Sequence, residues 1–303
     1  MGIARRIFIS VPNDKVLDDS QKEFKWALIN KIEEMGFIPE VFYDTHLRLG
    51  SLAAGRSWTF TESLLIMKRC IGAIIIGLPR HVINTGDDTL ILPTEYAHFE
   101  GALSLSLNLP TLILREDKLS DRGIFTYTGG HKIVTFPQNV GGNWLTSDQC
   151  KVELSLFLQK LEWRRDIFLG YCSTSKGTAR NLKLFIEKII GATVLDWQTD
   201  FNEGKTIIEE IEEACKRTSG GIFLFTKDDL LQSSNNLAAP RDNVVFEAGF
   251  FAHAKGRERI LIIRETGAKM PADLGGSIYA TLEDKTDIQP LEEKLKRFVQ
   301  ASI

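Results

Sequence analysis

The sequence predicts an α/β protein made of two tandem domains, each a doubly wound, flavodoxin-like parallel sheet. Short apolar runs alternate with helical patterns, as in parallel strands that are buried on both faces. This series occurs twice in 303 residues, a length that suits two domains of about 150 residues each. Phe99-Glu100 and Phe246-Glu247 recur at the same point of the two series. We therefore predict domains at 1–163 and 164–303, with an internal duplication.

Each half begins with a strand-like run, RIFIS in the first and DIFLG in the second, and a helical pattern follows each run. The apolar residues of these helices lie three and four apart, and Gly36 and Gly191 come directly after them as typical C-cap residues. The second strands, FIPEVFYD and ATVLDW, precede a glycine-containing loop and another helix. The third strands are GAIIIGL and GIFLFT.

The remaining part of each half completes the predicted unit. The polar segment between Leu78 and Pro93, like its counterpart in the second half, is expected to be a long loop that leads to a helix. The fourth strands are PTLILRE and RILIIRE, and closing helices are predicted with N-caps at Ser147 and Thr286. The sequence thus predicts four strands in each half.

Bulk properties exclude several classes of protein. A net charge of −3 with scattered Lys and Arg gives no footprint for duplex nucleic acid. Without a signal peptide or an apolar run of about 18 residues, we expect a cytoplasmic protein with no membrane partner. The four cysteines form no Cys-x-x-Cys pair, and no His/Cys cluster has metal spacing, so we expect reduced thiols and no metal. The acidic run Glu209–Glu213 predicts a solvated helix face.

The stretch PRDNVVFEAGF, residues 240–250, places a glutamate in an apolar helix. If the helix begins near Asn243, Glu247 lies one turn later among apolar residues, where an isolated charge is costly to desolvate. Two interpretations stay open here. The carboxylate is either paired with Arg241 or a backbone amide, or it faces a cleft at the carboxyl ends of the strands. No glycine-rich phosphate motif or Walker lysine accompanies it.

Residues 166–285 resemble a Toll/interleukin-1 receptor (TIR) domain of the bacterial subgroup found as effectors in antiphage defence. The segments that carry the resemblance are DIFLGYCST, DWQTDFNEGKTIIEEI, GIFLFTKDD, PRDNVVFEAGFF, RILIIRE and PADLGGSIYATL. The first half is similar to the same superfamily more loosely, through FISVPND, MKRCIGAIIIG and EYAHFEGA. The resemblance implies two tandem TIR-like domains.

In that family, the glutamate at the position of Glu247 is catalytic in NAD+ cleavage. The resemblance therefore implies an NAD+ glycohydrolase, with NAD+ as substrate and no bound cofactor. The chemistry suits one carboxylate, because the pyridinium leaves without a general acid and only the developing oxocarbenium ion needs stabilisation. Hydrolysis and cyclisation of the ADP-ribose product both stay open.

Further residues of the second half are assigned to NAD+ binding. Trp197 and Phe201 are expected to stack on a base or wall it off, and Lys205 or Arg241 to meet the pyrophosphate. A plain core or surface role is the alternative for each of these side chains. The binding candidates are Tyr171, Ser173, Trp197, Phe201, Lys205, Asp229, Arg241 and Asn243.

The first half lacks part of the motif, since Thr94 and Tyr96 stand where the second half has Arg241 and Asn243. We therefore expect a sensor, an assembly domain or an inactive partner. The family context implies a small-molecule trigger, often a cyclic nucleotide. The candidate contacts for such a ligand are Ser10, Asn13, Arg56, Arg80 and Glu100.

The resemblance also implies activity in an assembled state, a homo-oligomer or a filament, because neighbouring TIR domains commonly complete each other's pocket. The loop from Trp197 to Lys205 corresponds to the TIR loop at such domain contacts. Phe201 is expected to be an exposed aromatic residue in this loop, available for burial against a neighbour.

Two other function classes stay open. One is a nucleoside or nucleotide N-glycosidase, such as a deoxyribosyltransferase-like enzyme, which shares the fold and the use of a carboxylate. The other is a non-enzymatic signalling or scaffold protein built from TIR-like domains. Release of free base from NAD+ or from nucleosides distinguishes these three classes.

Overall fold

The computed structural model describes residues 3–42, 49–86, 88–201, 204–230, 238–274, 276 and 279–303. Within them the chain divides into two units, Ala4–Trp163 and Arg164–Ile303, the second of which also takes in Ile3. Each unit contains a five-stranded sheet in which all strand pairs are parallel. Helices connect the strands, which confirms the predicted α/β class.

The first unit has a sheet in the order β2-β1-β3-β6-β7, the order of doubly wound flavodoxin-like folds. Its elements are β1 (Arg6–Ser10), α1 (Asp19–Glu34), β2 (Ile38–Glu40), α2 (Phe60–Met67), β3 (Gly72–Gly77), β4 (His81–Thr85), β5 (Asp88–Leu92), α3 (Glu95–Ser106), β6 (Thr111–Glu116), β7 (Ile133–Phe136) and α4 (Asp148–Trp163).

The second unit repeats this topology, with a sheet in the order β14-β13-β10-β8-β9. Its elements are β8 (Arg165–Gly170), α5 (Lys176–Phe185), β9 (Val194–Asp196), α6 (Trp197–Asp200), α7 (Ile207–Arg217), β10 (Thr218–Phe225), β11 (Asp229–Leu230), β12 (Ala238–Ala239), α8 (Asp242–Lys255), β13 (Ile260–Glu265), β14 (Tyr279–Leu282) and α9 (Glu292–Ser302).

The middle parts of the central strands are apolar because both faces of each sheet are covered. Alternate residues of a strand point to opposite faces. In the first unit, Ile7 and Ile9 therefore join one apolar cluster while Phe8 joins another. In the second unit, Ile167 and Phe168 separate in the same way. This burial holds the carboxyl ends of the strands, where the loops converge, in fixed positions.

The strand pairing has the same register in the two sheets. In the first, β1 pairs with β3 through Ile7 with Gly72 and Ser10 with Ile75. In the second, β8 pairs with β10 through Ile167 with Gly220 and Gly170 with Phe223. Ser10 and Gly170 each end their strand, so they occupy corresponding places.

Each sheet has one strand more than the sequence predicted. The additional strands, β7 and β14, pair at one end of each sheet with β6 and β13. Their residues alternate between buried and less buried positions, so they form no continuous apolar run. The prediction of four strands per half was therefore wrong at the sheet edge.

Two local predictions were also wrong. The segment expected to be a loop before Pro93 contains an antiparallel hairpin, β4 with β5, whose exposure leaves no burial pattern in the sequence. Thr286 is not an N-cap, because its backbone N–H and hydroxyl donate to Asp284 Oδ1, each at 2.8 Å. Helix α9 begins only at Glu292, after a one-turn helix that contains Pro290.

The four cysteines, Cys70, Cys150, Cys172 and Cys215, are buried thiols. Among the described residues, no helix combines the length and the apolarity needed to cross a bilayer.

Candidate active site

Glu247 is the sixth residue of α8, which begins at Asp242 after the extended residue Arg241. The helix packs Val244, Ala248 and Phe251 into the core, and Glu247 lies on the same buried side. Only 8% of Glu247 is exposed. The sequence thus brings a carboxyl group into the protein on a helix that is anchored by apolar neighbours.

One oxygen of this carboxyl group, Oε2, is buried and has no hydrogen-bond partner among the residues that the structure describes. Burial raises the pKa of Glu247 to about 8, because the charged form loses its hydration. Arg241 does not pair with Glu247, since its guanidinium instead lies 3.2 Å from Asp229 Oδ1. A buried polar atom without a partner is costly in a protein that binds nothing there.

Glu247 lines a cavity of about 580 Å³. The cavity lies beside the carboxyl ends of β8 and β9, where doubly wound sheets bind their ligands. Its volume is in the range of small-molecule and cofactor sites. The lining residues are Tyr171, Cys172, Ser173, Trp197, Gln198, Phe201, Lys205, Ile207, Glu210, Arg241, Asn243, Val244 and Glu247.

Two aromatic residues on one side of the cavity hold each other in place. The Tyr171 hydroxyl donates to Asp196 Oδ1 at 2.8 Å, and Trp197 Nε1 donates to the Tyr171 carbonyl oxygen at 3.1 Å. The two rings are tilted by 49° with centroids 5.7 Å apart. Burial raises the pKa of the Tyr171 hydroxyl, and the hydrogen bond to Asp196 raises this pKa further. Both side chains thus have satisfied polar groups, and both residues line the cavity, although Tyr171 is itself almost fully buried.

Phe201 corrects the expectation of an exposed aromatic residue on the loop after β9. Its ring stacks on Phe168 with centroids 6.0 Å apart and is partly buried against the core. Phe201 is partly buried because the ring of Phe168, a core residue of β8, provides an apolar surface on which it packs. Residues 202 and 203 of the same loop lie outside the described residues.

Two cationic side chains line the cavity, and both have acidic neighbours. Lys205 Nζ lies 3.9 Å from Glu210 Oε1, and Arg241 lies beside Asp229. The side chains of Lys205 and Arg241 are 47% and 50% exposed. They therefore remain accessible to an anionic group that enters the cavity.

Seven of the eight binding candidates and Glu247 line this cavity together. Asp229 does not line it and instead pairs with Arg241. The sequence analysis missed Cys172, Gln198, Ile207, Glu210 and Val244 as lining residues.

Glu210 belongs to the acidic run expected to be solvated, yet it is only 4% exposed, because α7 turns this residue inward beside Ile211 and Ala214. The sequence does contain a signal for this burial: Glu210 and Ala214 are four residues apart, so they lie on the same face of the helix.

Asp228 ties together three segments around the cavity. Its Oδ1 accepts from Thr174 at 2.7 Å and from Thr226 at 2.9 Å, and its Oδ2 accepts from the Arg241 backbone N–H at 3.2 Å. Thr174 follows β8, Thr226 follows β10, and Arg241 precedes α8. One carboxylate thus fixes the loop that carries Cys172 and the start of the helix that carries Glu247.

The candidate ligand contacts of the first unit do not form one constellation. Ser10 donates to Glu100, but Asn13 accepts from the backbone of Lys15, as a local cap. Arg56 pairs with Glu62, and Arg80 donates to Gln21. Only Ser10 and Glu100 are brought together.

Glu100 is the sixth residue of α3, as Glu247 is of α8. It is also buried, and burial raises its pKa to about 7. However, both of its oxygens have donors: Ser10 donates to Oε2, and Trp58 Nε1 donates to Oε1 at 2.7 Å. The protein itself satisfies this second carboxyl group.

Within the described part of the chain, no group of three or more His, Cys, Asp or Glu residues is arranged to hold a metal ion. The cavity around Glu247 instead combines a carboxyl group, aromatic surface and two cations. Such a set can stabilise a developing positive charge next to an anionic group.

Comparison with known proteins finds a family model and relatives that match parts of this chain. Residues 166–284 match the family model described as the TIR domain of the CAP12/Pycsar effector protein. CD-NTase-associated protein 12 of Lachnospiraceae bacterium (strain RUG226) is 28% identical over 139 residues, which are 44% of this chain and 43% of that protein. The Pycsar effector protein BcPycTIR of Burkholderia cepacia is 26% identical over 143 residues, 46% of this chain and 47% of that protein.

Among solved structures, the TIR domain of the Toll-related receptor TRR-2 from Hydra magnipapillata is similar over 45% of this chain and 98% of its own, with 16% identity and a TM-score of 0.35. The chain spans less than half the length of the two curated relatives. The family match covers most of the second unit, including β8 to β14 and Glu247. Residues 166–284 are therefore a TIR domain of the CAP12/Pycsar effector family.

Proposed function

We propose that the second unit is an NAD+ glycohydrolase, which cleaves the bond between nicotinamide and ribose. The observation that carries this proposal is the buried, unpartnered Oε2 of Glu247 in a cavity of ligand size. A polar atom kept in that state favours a ligand that supplies the missing hydrogen bond or charge. The TIR family assignment directs the choice to a nicotinamide nucleotide.

The proposed reaction needs little from the protein beyond one carboxylate. The bond between ribose C1′ and the pyridinium nitrogen breaks, and its electron pair neutralises the nitrogen, so nicotinamide leaves without accepting a proton. The positive charge moves to the ribose, where the carboxylate of Glu247 stabilises the oxocarbenium ion. Water then attacks C1′ and loses a proton, which yields ADP-ribose. Attack by a group of the adenine ring instead of water would give a cyclic product.

The lining of the cavity supports a placement for the rest of the substrate. Trp197 offers ring surface for a base, and Phe201 and Tyr171 line the cavity with it. Lys205 and Arg241 offer exposed cations for the pyrophosphate. Asn243, at the start of α8, and Ser173 add polar groups near the same opening.

We further propose that this activity serves antiphage defence and is switched on by a nucleotide signal. This part rests on the names of the relatives, a CD-NTase-associated protein and a Pycsar effector. The first unit then acts as the sensor or the assembly domain, and self-association brings the TIR domains into their active arrangement.

The direct test is release of nicotinamide from NAD+, followed by chromatography, with and without cyclic nucleotides. Nucleosides are incubated in parallel. We expect free nicotinamide with the wild-type protein and none with Glu247→Gln, which keeps the shape of the side chain but removes its charge. Glu100→Gln is the matched control in the first unit. Release of free base from nucleosides but not from NAD+ would replace the proposal by nucleoside hydrolysis, and no turnover of any substrate would favour a scaffold.

A further inference from the structure

The two units place a glutamate at the same point of the same fold but surround it differently. Both oxygens of Glu100 accept hydrogen bonds from the protein, whereas Oε2 of Glu247 has no partner. Both glutamates are buried to a similar extent, 5% and 8% exposed. Burial therefore does not distinguish them, and the difference lies in the neighbouring donors.

The donor to Oε2 of Glu100 is the hydroxyl of Ser10, the last residue of β1. The shared strand register places Gly170, the last residue of β8, at the corresponding point of the second unit. Gly170 has no side chain to donate. A serine in one unit and a glycine in the other thus account for the presence and the absence of this hydrogen bond.

The geometry around Gly170 shows how closely the carboxyl group approaches it. A Cβ atom at this position would lie 2.6 Å from Glu247 Oε2 and 2.6 Å from Cδ1 of Phe223. The residue that corresponds to Phe223 in the first unit is the smaller Ile75, which pairs with Ser10. The first unit accommodates a side chain at this point, and the second fills the space with a phenylalanine ring and the carboxyl group.

We propose that Gly170 is a positioning residue of the TIR domain, which keeps Oε2 of Glu247 free of protein donors so that the substrate provides its hydrogen bond. The inference rests on the proposed function and adds the residue that separates a substrate-binding carboxylate from a structural one. The ribose hydroxyls of a nucleotide are donors of the required kind. In the first unit, Ser10 and Trp58 each donate to one oxygen of Glu100, so we expect this unit not to cleave the same substrate.

The test transfers the first unit's arrangement to the second. Because a Cβ at residue 170 meets the Phe223 ring, Gly170→Ser is combined with Phe223→Ile, which reproduces Ser10 and Ile75. The matched control is Gly170→Ala with Phe223→Ile, which adds the carbon without the hydroxyl. Thermal unfolding is measured first, to establish that both variants are folded. Two quantities are then measured, NAD+ cleavage and the pKa of Glu247 by ¹³C NMR titration, with Glu247→Gln to assign the resonance.

Above about pH 8, where Glu247 is ionised in both variants, we expect the serine variant to cleave NAD+ more slowly than the alanine variant. The difference should be on the order of tenfold to a hundredfold, the effect of a hydrogen bond to a charged group. The pKa of Glu247 should also be lower in the serine variant, because a donated hydrogen bond favours the ionised form. The added Cβ atom is common to both variants, so a steric effect alone would not produce these differences in cleavage rate and in the pKa of Glu247.

Equal pKa values of Glu247 in the serine and alanine variants would overturn the inference, as would equal rates of cleavage. If the wild-type protein does not cleave NAD+ at all, the proposed function fails. The titration still decides whether the residue at position 170 controls the partner of Glu247, so the two failures are distinguishable.

Discussion

A carboxyl group that is buried without a donor makes the stability of the protein depend on pH, and Glu247 is such a group. Its folded pKa, about 8, is raised above the value of an exposed glutamate. Below the unfolded pKa both states are protonated, and nothing is lost. As pH rises towards 8, only the unfolded state ionises, so the wild-type protein loses stability.

Glu247→Gln removes this loss. We expect the variant to gain stability relative to the wild-type protein between weakly acidic pH and about pH 8, by up to a few kcal/mol. Urea unfolding of both proteins at several pH values measures the difference. Glu100→Gln is an unsuitable reference, since its donors would lose a charged partner. The exposed substitution Glu212→Gln is the better control. A difference that does not change with pH would show that Glu247 is ionised in the folded state.

The same pKa predicts the pH dependence of catalysis. If the ionised carboxylate stabilises the oxocarbenium ion, kcat/KM for NAD+ should rise with pH and level off near pH 8, because this parameter reports the free enzyme. Initial rates at substrate concentrations well below KM give the profile. A rate that falls between pH 6 and about pH 8 would mean that the protonated acid is the active form.

At the scale of the secondary structure elements, Asp228 holds three chain segments in register around the cavity. Asp228→Ala should therefore raise KM for NAD+ by about tenfold while kcat changes less, because the walls move but Glu247 stays on its helix. Asp228→Asn keeps an acceptor for the two threonines and should be intermediate. Asp242→Ala, an exposed acid at the start of α8, is the control. A loss in kcat alone would assign Asp228 a role in the chemical step.

The elements that could be predicted from the sequence are those whose burial leaves a pattern. The central strands and α8 have long apolar stretches, and the loops that line the cavity follow from the carboxyl ends of these strands. Edge strand β14 and the exposed hairpin of β4 and β5 have no such pattern, so they were missed. Tertiary contacts decide these pairings.

The candidate site divides in the same way. Glu247 stands out in the sequence because it is a charge in an apolar helix, whereas Trp197 and Arg241 were assigned through the resemblance to TIR domains. All three line the cavity. The burial of Glu210 and the stacking of Phe201 on Phe168 could not be found from the sequence, since both depend on how α7 and the preceding loop pack. The close approach of Glu247 and Phe223 to Gly170 depends on two strands and a helix that meet only in the fold.

At the scale of the whole molecule, the two units are expected to contribute unequally. Glu100→Gln should leave the rate of NAD+ cleavage within about twofold of the wild-type rate, because Ser10 and Trp58 already occupy its carboxyl group. The response to a cyclic nucleotide is the quantity to compare between the two proteins. A loss of cleavage with Glu100→Gln, together with normal cleavage by Glu247→Gln, would reverse the assignment of the units.

Activity should also depend on protein concentration if the TIR domains work in an assembled state. The exposed side chains Ile207, Ile208 and Phe246 provide apolar surface near the cavity. We expect Ile208→Arg to lower specific activity most in dilute solution, with recovery at high concentration, whereas Leu184→Arg on α5 serves as the control. Specific activity and light scattering are measured over the same dilution series. A monomer with constant specific activity contradicts this prediction.

The position of Trp197 allows ligand binding in the cavity to be followed by tryptophan fluorescence. It is the single tryptophan of the sequence from Arg164 to Ile303, and its indole ring lines the cavity beside Tyr171. A molecule that stacks on this ring changes the polarity and the quenching around one fluorophore. In a protein whose other tryptophans, at positions 26, 58, 144 and 163, are replaced by phenylalanine, the emission spectrum becomes a direct gauge of occupancy. Non-reactive analogues can then be ranked by titration, before any catalytic assay is run.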